Sequence, residues 1–128
     1  MSSAHAFRQA VEQGDHDTAF DLLAPEVVFR SPVVHRPYHG KVTVAALLRH
    51  VSNVFRDFRY VDQLEGEATT VLVFRARVGD RELEGVDYLT FDAAGSIAEF
   101  AVMIRPLTGL LPLAEAMRQR LEADPLPE

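Results

Sequence analysis

The 128-residue chain contains no cysteine. Disulfide staples, thiol redox chemistry and thiolate metal sites are therefore excluded, and a reducing compartment fits the composition. Lysine is nearly absent as well: of 13 basic residues only Lys41 is a lysine. No stretch approaches the roughly 20 apolar residues of a membrane span, and the start, MSSAHAFRQAVEQGD, has no basic segment followed by an apolar one. The expectation is a cytoplasmic protein with no membrane contact. A net charge of -6, with acidic and basic residues interspersed, argues against a nucleic-acid surface. There is no Gly-rich phosphate loop and no zinc-ligand spacing, so neither cofactor nor metal is expected. Repeats, linkers and low-complexity segments are also missing. One domain over residues 1–128 follows, long enough to bury a core unaided.

What is present falls into two periodicities. Ala4, Phe7, Ala10 and Val11 make one stripe, closed by Gly14 and Asp15, which predicts a short amphipathic helix. A second helix starts on Asp15 or Asp17 as N-cap and stops before Pro25. EVVFRSP predicts a short strand halted by Pro32, and the loop VVHRPYHG follows. With Thr43 as N-cap, a long helix places Val44, Leu47, Leu48, Val51, Phe55 and Phe58 on a broad apolar face. Beyond it the period falls from 3.6 to 2. RYVDQLEGEA, TTVLVFRARVG, RELEGVDYLTFD and SIAEFAVMIRP predict an antiparallel meander joined by Gly or Asp turns. A last amphipathic helix covers about 107–123, leaving 124–128 to fray. Helices before sheet imply an α+β fold, with helices on one face of a curved antiparallel sheet.

Alternation then assigns faces. Leu72, Phe74, Ala76 and Val78 point inward and Val71, Val73, Arg75 and Arg77 outward. In the last strand Ala98, Phe100, Val102 and Ile104 point inward, against Ile97, Glu99, Ala101, Met103 and Arg105. The inner set of the strand between them is Leu83, Gly85, Asp87, Leu89 and Phe91, so a carboxylate stands in the middle of an apolar face. Buried without a partner, Asp87 would have a raised pKa and, once neutral, would donate a hydrogen bond to a carbonyl or phenol. The alternative is a carboxylate satisfied by a Tyr, Ser or His across the interior and serving stability alone. Phe74, Leu89, Phe100, Val102 and Ile104, closed over by Val51 and Phe55, are expected to line a cavity. His35 and His39 are four apart in a Pro-containing loop, which gives no metal-ligand geometry but leaves each a candidate base beside that cavity. His5, His16 and His50 read as surface residues. Outside, Val71, Val73, Val86, Tyr88, Ala101 and Met103 are too apolar for a solvated face. They point to a homodimer across the outer sheet face, with display to another protein as the alternative.

The order helix, GD, helix, FRSP, YHG, long helix and GVDYLTFDAAGSIAEF resembles the nuclear transport factor two-like superfamily, within it the SnoaL-like and ketosteroid-isomerase-like branch, up to about Pro106. The resemblance implies a cystatin-like α+β roll: a cone-shaped curved antiparallel sheet, N-terminal helices on its concave face and an extra C-terminal helix. It also implies a small, mostly apolar ligand bearing a carbonyl or hydroxyl, bound by an isomerase-, cyclase- or hydrolase-like enzyme or by a non-catalytic carrier. Steroid isomerases of this branch use a tyrosine on the first helix, a general-base Asp just before the Pro of the first strand, and a second Asp in a D-x-x-x-F strand. The matching positions here are Phe7, Ser31 and Asp87. Those of epoxide hydrolases are Gly85 and Val102, and the acid-base Asp of aldol-type cyclases also falls near Val102. Asp87 alone matches, and it is the candidate acid/base or hydrogen-bond donor by analogy with the neutral carboxylic acid of ketosteroid isomerase sites. Ser31 is a pocket candidate whose hydroxyl is too weak a base without an activating partner. Phe7 is expected to join the pocket lining.

Overall fold

In the computed structural model, which describes residues 2–127, the chain opens with α1 (Ser3–Glu12) and α2 (His16–Asp21). Both have side-chain caps: Ser2 Oγ accepts from the His5 N–H, and the Asp15 carboxylate accepts from the Thr18 N–H and hydroxyl. α1 buries Ala4, Phe7 and Ala10, the stripe its spacing demands. Next come β1 (Leu23–Arg30), β2 (Tyr38–His39), α3 (Lys41–Val54), β3 (Arg56–Glu65), β4 (Thr69–Val78), β5 (Arg81–Phe91), β6 (Ile97–Arg105) and α4 (Leu107–Ala123). The strands form one sheet in the order β2-β1-β6-β5-β4-β3. β3 to β6 are the antiparallel meander, while β1 lies parallel to β6. A parallel pair needs a long crossover, and here α3 and the whole meander supply it.

α3 differs from expectation at both ends. It starts at Lys41 on Gly40, whose φ of 94° suits glycine, rather than on a Thr43 cap. The Thr43 hydroxyl instead donates to the Pro127 carbonyl at 3.1 Å, and Leu126 packs on the core, so residues 124–127 are tied back to α3. α3 ends at Val54, with Phe55 already extended, and Phe58 belongs to β3. The two rings still stack, 5.5 Å apart, facing one interior. A helix end followed by a strand thus presents the aromatic spacing that a longer helix would.

Burial alternates along β4 and β5 as the period of 2 requires, with Leu72, Phe74, Ala76 and Val78 inside on one and Leu83, Gly85, Asp87 and Leu89 on the other. Ile97 departs from its expected outward place and is fully buried. Ile97 pairs with Phe91 and Glu99 with Thr90, so Ala98 is an extra residue, and this bulge turns Ile97 inward.

Two glycines mark close approaches. A Cβ on Gly85 would lie 2.5 Å from Phe74 Cζ and 2.6 Å from the Met103 carbonyl oxygen, so only glycine lets the Phe74 ring cross the neighbouring strand. A Cβ on Gly109 would lie 2.7 Å from the Glu82 carbonyl oxygen, which brings α4 tightly onto β5 and buries Leu113. Among the described residues no helix is long and apolar enough to cross a membrane.

Candidate functional site

The inner sheet face and the four helices enclose a cavity of about 670 Å³. Phe74, Phe100, Val102 and Ile104 line it from the sheet, Phe7 from α1, and Val51 and Phe55 from the α3 side. Aromatic contacts stiffen these walls: Phe7 meets Phe100 edge-on at 5.7 Å, and Phe58 stacks on Phe74 at 5.0 Å. Leu89, expected in this lining, is not part of it. It is completely enclosed, with Thr70 and Phe100 as its cross-strand neighbours.

Asp87 opens onto this space with only 6% of its surface exposed. Its partner is Tyr60 on β3, also buried, whose hydroxyl donates to Asp87 Oδ2 at 2.8 Å. Oδ1 has no hydrogen-bond partner among the described residues. Since none of their side-chain polar atoms is both sealed and unpartnered, Oδ1 faces the cavity. Desolvation raises the Asp87 pKa to about 7, and the Tyr60 hydrogen bond pulls it downward too weakly to offset burial. The Tyr60 phenol is itself pushed well above its ordinary value, first by burial and then by the charge of Asp87. Tyr60 therefore remains a donor, and the proton that moves near neutral pH is the one on Asp87.

Two features hold Tyr60 in place. The Arg8 guanidinium lies 5.8 Å from the ring centroid and donates to Gln63, while Phe58 packs edge-on at 5.1 Å. Sequence reasoning left Tyr60 unassigned. It reaches Asp87 across β4, and the β3–β4 register shifts on either side of it, so strand alternation alone does not place its ring inside.

The remaining candidates divide. Ser31 lines the cavity, but its Oγ accepts from the N–H groups of Val33 and Val34 at 3.0 and 3.4 Å. Its lone pairs hold a turn, which corrects any role as a base. His35 and His39 are exposed and do not reach the cavity. On the edge strand β2, Tyr38 takes the inward position against Phe29, and alternation sends His39 outward. Two histidines expected at the surface are drawn in, His50 fully and His16 partly. His50 is buried, accepting from Arg120 Nε at 3.2 Å and lying 3.4 Å from Asp124 Oδ2, a link between α3 and α4. His16 lines the cavity, its ring stacked on Phe20 at 5.6 Å and 10°. Among the described residues no three His, Asp or Glu side chains converge in a way that would hold a metal ion.

Residues 4–100 match the model of the SnoaL-like domain. The chain belongs to the SnoaL-like domain family. Its structure is similar to that of a steroid delta-isomerase from Pseudomonas aeruginosa, at 41% identity over 94% of this chain and 90% of that one, TM-score 0.90. It is equally similar in fold to an uncharacterized protein conserved in bacteria, with a cystatin-like fold, from Silicibacter pomeroyi DSS-3, at 33% identity over 95% and 86%, TM-score 0.90. An NTF-2 like protein of unknown function from Burkholderia xenovorans LB400 shares the fold alone, at 17% identity over 80% and 79%, TM-score 0.69. No curated protein matches. The fold is thus the cystatin-like α+β roll, here with an extra C-terminal helix. In this SnoaL-like chain the family match stops at residue 100, whereas α4 walls one side of the cavity through Leu111, Met117 and Leu121.

Proposed function

We propose that the cavity binds a small, mostly apolar molecule bearing a carbonyl or hydroxyl, and that Asp87 meets that group as hydrogen-bond donor or acid/base in an isomerase-, cyclase- or hydrolase-like reaction. One observation carries this reading: the Tyr60–Asp87 pair is set into aromatic walls, with Oδ1 turned to the cavity. Tyr60 fixes the carboxyl through Oδ2, and the proton of the neutral acid then sits on Oδ1, aimed at a ligand oxygen. A pocket of this size, mostly aromatic and aliphatic around the Tyr60–Asp87 pair, suits a bicyclic or larger ligand. The 41% identity to a protein called a steroid delta-isomerase supports a carbonyl-bearing polycycle as ligand class. The usual general-base position of steroid isomerases is Ser31 here, so that route is not the expected one.

The test is binding of 1-tetralone, a bicyclic ketone that accepts hydrogen bonds and cannot ionise. With Asp87 titrating at about 7, the donor form falls about tenfold between pH 6 and pH 8, and affinity measured by calorimetry should fall with it. Asp87→Asn should flatten the profile. A non-catalytic carrier with a purely structural Asp87, which the Tyr60 bond would equally satisfy, predicts affinity independent of pH in the wild type.

The second part of the reading is a homodimer through the outer sheet face. Cross-strand register sets Val73, Val86 and Met103 in one row and Val71, Tyr88 and Ala101 in the next. Tyr88 is 40% and Met103 58% exposed, in the centre of an apolar band. Beside the band, Glu84 pairs with Arg75 and Arg105 at 3.3 and 3.4 Å, giving a polar rim of the kind that surrounds interface cores.

A further inference from the structure

The geometry points to His16 as the proton acceptor of the cavity, the base that works with the Asp87 donor on carbonyl ligands with an acidic α-C–H. This rests on the reading of Asp87 given above and supplies the base that Ser31 does not.

Apart from Tyr38, every other titratable side chain on the cavity wall is engaged. Glu12 pairs with Arg8 at 3.3 Å; Glu115 and Arg118 pair with each other, and Arg118 also with Glu122. Tyr60 and Asp87 hold one another, and the Tyr38 ring packs against Phe29 on the edge strand. His16 alone brings imidazole nitrogens that take part in no hydrogen bond among the described residues. Its ring is not adrift. It stacks on buried Phe20, whose other neighbour is the Arg49 guanidinium, 5.3 Å from the ring centroid. The nearby Asp15 carboxylate is engaged by Thr18, and Asp17 by Arg49. Glu12 and His16 flank the turn at Gly14, and Glu12 pairs with Arg8, whose guanidinium lies 5.8 Å from the Tyr60 ring centroid, so this turn lies on the same side of the cavity as the donor pair. The α-carbon of a ketone is only two bonds from its oxygen, so a base and a donor on the same side of one cavity of about 670 Å³ can address both.

The step balances without a co-reactant. The imidazole lone pair takes the α-proton, the C–H pair becomes the enolate π system, and the enolate oxygen receives a hydrogen bond from Asp87. The same imidazolium returns the proton to carbon, at the original position or further along a conjugated system.

Two measurements on the full chain decide the matter. In D₂O the protein should catalyse α-hydrogen exchange of 1-tetralone, and His16→Gln should lower that rate by about tenfold or more, with added imidazole restoring part of it in His16→Ala. Separately, 2-bromoacetylnaphthalene should alkylate His16, forming C–N as bromide leaves, about tenfold or more faster than exposed His5, His35 and His39, and saturating 1-tetralone should protect it. Absence of exchange in the wild type, equal labelling of all four histidines, or loss of exchange in Glu12→Gln with retention in His16→Gln would overturn the assignment. If 1-tetralone binding keeps its pH dependence while His16 fails these tests, only this inference falls. A flat binding profile removes the Asp87 reading instead.

Discussion

Replacing Asp87 with asparagine removes a titrating proton while keeping an acceptor for the Tyr60 hydroxyl, so it isolates the electrostatic cost of the buried carboxylate. Burial moves the pKa from 3.8 to about 7, and at about 1.4 kcal/mol per unit this sets a ceiling of roughly 4 kcal/mol. The sign follows from proton binding. The native state holds this proton more tightly than the unfolded chain, so Asp87 lowers wild-type stability progressively as pH rises from about 4 through about 7, and the penalty is complete above that window. The asparagine variant carries no such penalty. Between pH 5 and pH 8 the stability difference should therefore shift toward the variant by roughly 2–3 kcal/mol, giving a variant close to wild type at the lower pH and more stable at the higher. Urea melts of both proteins at the two pH values measure it, and because all other titrating groups are shared, their effects cancel in the difference. Any acid/base turnover should disappear in the same variant, the trade expected where a strained group serves function. An ionised, well-bonded structural carboxylate would instead make the variant less stable by about 1–3 kcal/mol at both pH values. Clear destabilisation at pH 8 would refute the argument.

Tyr60→Phe removes the one interaction that lowers the Asp87 pKa, so the midpoint of pH-dependent 1-tetralone binding should move upward from about 7, read from affinities across the pH range. Gly85→Ala drives a methyl group into Phe74 and the Met103 carbonyl; stability should fall by about 1–3 kcal/mol in denaturant melts, and ligand affinity should drop as Phe74 is displaced into the cavity. Sedimentation velocity at micromolar concentration should show a dimer that Met103→Glu dissociates, and a strictly monomeric wild type would remove the interface argument. Turnover of a 5-ene-3-ketosteroid should be slow next to that of a general-base carboxylate enzyme, and efficient turnover surviving Asp87→Ala would mean the site has been misplaced.

Strand alternation was enough to set Asp87, Phe74, Phe100 and Ile104 on one face, because side-chain direction in a strand depends on parity alone. It failed where parity is broken by a neighbour. The bulge at Ala98 exists only in relation to β5, so nothing in SIAEF announces that Ile97 turns inward. Tyr60 shows the same limit: its bond to Asp87 joins residues 27 apart through the pairing of β3 on β4. His16 and His50 were read as solvated because their sequence neighbours are polar. His50 is buried by α4, an element distant in the chain, while His16 is half-buried against Phe20 on the cavity wall. The end of α3 was illegible for another reason, since Phe55 and Phe58 satisfy helical spacing although the backbone turns extended between them.

The close seat of Gly109 on β5 has a consequence for how new specificities arise on this scaffold. One side of the binding chamber is α4, which lies beyond residues 4–100 and is held to β5 at Gly109 and to α3 through His50. Leu111, Met117 and Leu121 can be exchanged while Gly109 keeps its seat on β5 and no residue of the strands that carry Asp87 and Tyr60 is changed. Part of the chamber's shape is thus written in a stretch of the gene separate from its donor pair, and libraries confined to 107–123 that keep Gly109 should reshape what fits while leaving that pair in register.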